Sequence, residues 1–76
     1  MAKVVLPELG EGIEKATVAC WHRKIGEYVK AGDDIVEVVT DKATFSVSAD
    51  SSGILREILI EEGKDALIGE PLAIIQ

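Results

Sequence analysis

At 76 residues the chain holds one small domain, which buries only roughly 60–65% of its unfolded surface and leaves no room for a deep catalytic cleft. A formal net charge of −6 excludes the basic face that nucleic acid requires and disfavours an anionic membrane surface. The single cysteine rules out an internal disulfide and suits a reducing compartment, and no apolar run approaches the ~20 residues of a membrane span. Hydrophobic residues make up 47%, with one Trp, one Tyr and one Phe, so the core must be built from Val, Ile, Leu and Ala. The β-branched members of that set favour strands.

In chain order, the extended segments are Lys3 to Leu6, Ala16 to His22, Tyr28 to Val29, Ile35 to Thr40, Thr44 to Ala49, Gly53 to Ile60, Ala66 to Leu67 and Leu72 to Ile75. No charged-then-apolar leader pattern precedes Val4. Pro7 and Pro71 fall at strand margins, where a missing N–H is tolerated. Short strands at close spacing with Gly between them predict an all-β sandwich or barrel. The segment Gly53 to Ile60 is ambiguous by itself. Ile54, Leu55, Ile58 and Leu59 recur at helical spacing, with Ser51 or Ser52 to cap a helix and Gly63 to end it.

An internal repeat resolves that ambiguity. An offset of 37 residues brings Gly26 onto Gly63, Gly32 onto Gly69, Ile35 onto Leu72 and Val38 onto Ile75. It also brings Val18 onto Leu55 and Trp21 onto Ile58. Only the glycines are identical, but each half reads strand, Gly turn, short extended piece, Gly turn, strand. The repeat predicts two units completing one core by pseudo-two-fold packing. It also makes Gly53 to Ile60 a strand, with a β-bulge near Arg56-Glu57 to absorb the broken alternation.

The fifth and fourth segments pair about the bond between Asp41 and Lys42. Val38 then faces Phe45 and Val36 faces Val47, while Glu37 faces Ser46 and Ile35 faces Ser48. One face is mostly apolar and the other mostly polar, as a half-buried hairpin requires. Lys42 therefore stands at the tip. The turn Asp41-Lys42-Ala43 has no Gly or Asn, which argues against a primed two-residue turn and for an open one that projects Lys42 into water. Read alone, such a lysine serves solubility.

Other chemistry is sparse. Cys20 and His22 share a strand face, but zinc needs further ligands and the chain has no other Cys or His. They read as a buried thiol and an edge histidine, with a Cys–His nucleophile pair as the sharper alternative. Trp21 reads as core. The adjacent carboxylates Asp33-Asp34 and Glu61-Glu62 point to opposite faces and make poor acid–base dyads. Gly10 and Gly12 flank Glu11 in the loop Glu8 to Lys15, too few glycines for a phosphate cradle. No nucleophile–base–oxyanion set supports an independent enzyme.

The order of short motifs is more specific. Leu9-Gly10-Glu11-Gly12-Ile13 and Trp21 come first, then Gly26-Glu27 with Val29, then Val38-Val39-Thr40-Asp41-Lys42-Ala43-Thr44. Ser52-Gly53, Glu62-Gly63 and Ile68-Gly69-Glu70-Pro71-Leu72 complete the series. Across nearly its whole length the chain resembles the lipoyl domain of the acyltransferase subunit of 2-oxo acid dehydrogenase complexes. The resemblance implies one lipoyl domain over residues 1–76, folded as a flattened barrel of two four-stranded antiparallel sheets and excised from a longer parent.

It further implies lipoic acid in amide linkage to Lys42, flanked by Asp41 and Ala43, which takes the formal charge from −6 to −7 as the lysine is neutralised. The implied partners are a thiamine-dependent 2-oxo acid decarboxylase, the acyltransferase core, dihydrolipoamide dehydrogenase and a lipoate-attaching enzyme. Glu8, Glu11 and Glu14 are the implied partner-contact residues, and the isolated domain is expected to be a monomer. The setting is a bacterial or archaeal cytoplasm or a mitochondrial matrix. Two positions depart from the family pattern. Val39 stands where many members are acidic, and Lys24-Ile25-Gly26-Glu27 ends in Glu where Asp is usual. Three other readings compete, one of them the glycine-cleavage carrier protein, which is also lipoylated but is longer, with extra helices this chain lacks. A biotin carrier normally has Met on both sides of its lysine, where this chain has Asp41 and Ala43. An unmodified acidic β module would dock a basic partner and leave Lys42 bare.

Overall fold

In a computed structural model describing residues 2–76, eight strands form two four-stranded antiparallel sheets. Met1 lies outside the described residues. The strands are β1 (Ala2–Val5), β2 (Lys15–Trp21), β3 (Tyr28–Val29), β4 (Asp34–Val39), β5 (Thr44–Ser48), β6 (Gly53–Ile58), β7 (Asp65–Leu67) and β8 (Pro71–Ile75). One sheet has the order β1-β8-β6-β3 and the other β5-β4-β2-β7. Among the described residues no helix is long and apolar enough to cross a membrane. The predicted strands are all present, with ends moved by one or two residues. Pro71 opens β8 at its edge, opposite Val5.

The 37-residue repeat is visible in the hydrogen bonds. Gly26 N–H donates to Leu55 O and Gly63 N–H to Val18 O, both at 2.8 Å. Leu55 N–H donates to Glu27 O and Val18 N–H to Lys64 O, both at 2.9 Å. Each half therefore reaches across to close the other, and neither is complete alone. The bulges repeat too. β2 carries an extra residue, Ala19, against β4, and β6 carries Arg56 against β8. The Arg56 bulge is the one that makes Ile54 to Leu59 look helical: an added residue shifts the apolar positions by one.

The core between the sheets is aliphatic. Leu6, Ile35, Leu55, Leu72, Ile75 and five-carbon Val18, Val29, Val36 and Val38 are fully buried, and no polar or charged side chain of the described residues joins them. Burying each such side chain contributes about 1.5–3 kcal/mol. Two sequence expectations are corrected here. Trp21 is only partly buried; it packs on the rim and its indole N–H donates to Ile60 O at 3.0 Å. A buried indole needs a partner, and the rim supplies one. The hairpin register holds from Val39–Thr44 through Val36–Val47, but Ser48 faces Asp34, not Ile35. Ile35 is inserted as a bulge, so Ile35 and Val36 are both buried.

Candidate functional site

The β4–β5 hairpin ends in the turn Thr40-Asp41-Lys42-Ala43, and one side chain organises it. Thr40 N–H donates to Ala43 O at 2.8 Å. The Thr40 hydroxyl accepts from the N–H groups of Lys42 and Ala43, both at 3.1 Å, and donates to Ala43 O at 3.1 Å. A Ser or Thr side chain satisfying nearby backbone donors is a local turn device, here holding the tip without glycine. No non-glycine residue described has positive φ, so the turn is not of the primed kind. Asp41, Lys42 and Ala43 are all exposed. Among the described residues no carboxylate lies within ion-pair distance of the Lys42 amine.

The loop from Glu8 to Lys15 lies beside this tip. A Cβ placed on Gly12 would stand 3.7 Å from Lys42 Nζ, so the amine rests over bare backbone. Gly12 has φ of 81°, which disfavours any side chain there. The loop is pinned at both ends. Leu6 N–H donates to Glu70 O at 3.0 Å, and Glu14 O accepts from Ile68 N–H at 3.0 Å. A surface groove of about 420 Å³ separates loop from hairpin and is lined by Gly12, Ile13, Lys15, Thr17, Val39 and Asp41 among others. Glu8, Glu11 and Glu14 are exposed on the loop. Lys42, its two flanks and the acidic loop therefore share one end of the domain.

The arrangement offers an exposed primary amine on a tip braced by the Thr40 hydroxyl. That suits an attachment point. The residues fit a covalently held acyl group for the same reason: nothing covers the amine, and the backbone below it is glycine. A model described as "Biotin-requiring enzyme", for the biotin/lipoyl family, matches residues 2–75.

The chain belongs to this biotin/lipoyl family.

Relatives within the family are specific. The dihydrolipoyllysine-residue succinyltransferase component of the 2-oxoglutarate dehydrogenase complex of Bacillus subtilis is 37% identical over 75 residues, covering 99% of this chain and 18% of that protein. The mitochondrial pyruvate dehydrogenase protein X component of Mus musculus is 40% identical over 74 residues, covering 96% and 15%. The chain thus spans less than a fifth of the length of these curated relatives. The solution structure of the lipoyl domain of the Azotobacter vinelandii 2-oxoglutarate dehydrogenase complex superposes with a TM-score of 0.78 at 38% identity, covering 100% of this chain and 96% of that one. Kluyveromyces lactis urea carboxylase matches at TM-score 0.83 but 21% identity, over 99% of this chain and 6% of that one, which shows a shared fold alone. As a biotin/lipoyl family member with lipoyl-domain relatives, the chain is a lipoyl-type carrier domain, non-catalytic in itself.

Sequence reasoning passed over two features. Thr40 was not singled out, although a Thr opening a four-residue turn is a recognised signal for side-chain-to-backbone bonding. Glu37 was not connected to Cys20 and His22. It pairs with Cys20 across β2 and β4, and its carboxylate lies 3.8 Å from His22 Nε2, while Cys20 Sγ lies 3.8 Å from His22 Nδ1. Cys20 is half-buried, not enclosed.

Proposed function

We propose that Lys42 carries lipoic acid in amide linkage and that residues 1–76 form one lipoyl domain of a longer dihydrolipoamide acyltransferase. The observation that carries this reading is the uncovered amine of Lys42 on a glycine-free tip organised by Thr40, in a chain whose relatives are lipoyl domains. The group supplies a dithiolane that accepts an acyl unit and two electrons. The chain's own part is mechanical and electrostatic. The Thr40-braced turn fixes where the arm starts, so tethered substrate meets each active site at an effective concentration of order mM. Bare Gly12 leaves the base of the arm unobstructed.

The partners in this reading are a thiamine-dependent 2-oxo acid decarboxylase, the acyltransferase core, dihydrolipoamide dehydrogenase and the lipoate-attaching enzyme. Glu8, Glu11 and Glu14 are exposed on the loop whose Gly12 lies against Lys42 and contact the decarboxylase, with charge steering the encounter. The parent works in a bacterial or archaeal cytoplasm or a mitochondrial matrix, as the bacterial and mitochondrial relatives suggest. The test is reductive acylation of the lipoylated domain by pyruvate, 2-oxoglutarate and branched-chain decarboxylases. One of them should acylate it, and Glu8, Glu11 and Glu14 replaced by Gln should slow that enzyme while leaving lipoylation intact. Failure of all three against a fully lipoylated domain would sink the carrier reading.

A further inference from the structure

The geometry points to a divalent-metal site, selective for zinc, formed by Cys20, His22 and Glu37 on the outer face of the β5-β4-β2-β7 sheet. One ligand atom from each residue lies within 4.8 Å of the others. The Ala19 bulge creates this grouping. Ala16 and Val18 point inward before it; after it the alternation is reset, so that Trp21 packs against the core and Cys20 and His22 turn outward. Glu37, opposite Cys20 on β4, turns outward with Ser46 beside it.

The donor set decides the metal. Thiolate, imidazole and carboxylate together suit zinc, whereas calcium and magnesium take oxygen ligands. Zinc bonds of about 2.0–2.3 Å bring tetrahedral ligand atoms to roughly 3–4 Å from one another. The two 3.8 Å contacts meet opposite ring nitrogens of His22, so one of them stays in the ligand set, and the other side chain, already within 4.8 Å, closes on the same nitrogen by rotation at the surface. The His22 and Glu37 side chains are 36% and 37% exposed, which leaves an entry path and a fourth position for water. Binding forms a zinc–sulfur bond as the thiol proton leaves to buffer. Thiolate and carboxylate then balance the two positive charges of the ion. Arg23, next to His22 in the chain, is engaged with Asp33 at 3.8 Å.

The second half-repeat shows that the fold does not impose the cluster. The positions matching Cys20, His22 and Glu37 are Glu57, Leu59 and Ile74, which cannot make such a site. Bound zinc would clamp β2 to β4, the strand that runs directly into the Lys42 turn.

The experiment is calorimetric titration of the 76-residue chain with Zn²⁺, with Co²⁺ as a spectroscopic substitute. One ion should bind per chain, and cobalt should give a thiolate-to-metal charge-transfer band. Cys20→Ser should abolish the band. Glu37→Gln, a shape-conserving change, should weaken binding by more than about tenfold while the band persists at saturation, and His22→Gln should weaken it similarly. Wild-type circular dichroism of each variant confirms folding. A cobalt complex with no charge-transfer band, or zinc affinity unchanged in all three variants, overturns the site.

Discussion

The two half-repeats solve one folding problem with the same bonds and then diverge on the surface. Gly26 and Gly63 close reciprocal backbone bonds, Ala19 and Arg56 bulge at matching places, and Ile35 and Leu72 fill matching positions in the core. Outside that frame the halves differ. The β4–β5 connection is a Thr40-braced turn bearing Lys42, whereas the corresponding strands β8 and β1 pair without any such turn between them, Ile75 opposite Ala2. The first half also places Cys20, His22 and Glu37 where the second has Glu57, Leu59 and Ile74. The shared part is what folds the chain, and the unshared part holds Lys42 and the Cys20, His22 and Glu37 cluster.

Paired substitutions test that division. Ile35→Ala and Leu72→Ala remove matching, fully buried side chains and should each cost about 2–5 kcal/mol in denaturant unfolding. A large inequality between them would show that the halves do not share the core equally. Gly53 offers an asymmetric pair, because its repeat counterpart Ala16 already carries a methyl. A Cβ on Gly53 would stand 2.8 Å from Ile75 Cγ2 and 3.0 Å from the Gln76 carbonyl oxygen. Gly53→Ala should therefore destabilise by roughly 1–3 kcal/mol through overpacking. A stability equal to wild type would mean that β6 and the end of β8 separate freely.

Smaller effects are expected at the tip. Thr40→Val keeps the shape but loses the hydroxyl that holds the Lys42 and Ala43 N–H groups. It should cost on the order of 1 kcal/mol and slow attachment at Lys42, measured as the initial rate of lipoylation. Lys42→Ala should be the quietest, within about ±0.5 kcal/mol in thermal unfolding, because an exposed turn substitution touches no packing. A large fall in melting temperature there would make the lysine structural and contradict the exposed-tip geometry.

Much of this was legible in the residues because polar and apolar positions alternate cleanly in Val36 to Val38 and Thr44 to Val47, and a one-residue slip would bury Glu37. The Arg56 bulge was legible only through its repeat partner. The bulge at Ile35 was not, since Ile35 and Val36 are both apolar and an insertion between equals leaves no mark on the pattern. Trp21 suggested core by its size, yet its indole N–H requires an acceptor that a purely aliphatic interior lacks. Cys20 and His22 were visible as a pair, but Glu37 joins them only through strand pairing that spans many residues of chain. The fold and the lysine were thus written locally, whereas the three-residue cluster depends on register and on the Ala19 bulge.

The central claim is that the functional amine is Lys42 and that the rest of the chain presents it. Peptide mapping by mass spectrometry after incubation with lipoate, ATP and a lipoate ligase tests it most directly. A single lipoyl adduct on the peptide containing Lys42, lost in Lys42→Ala while the fold is retained, is the predicted result. An adduct on another lysine, or no adduct at all, would contradict the account.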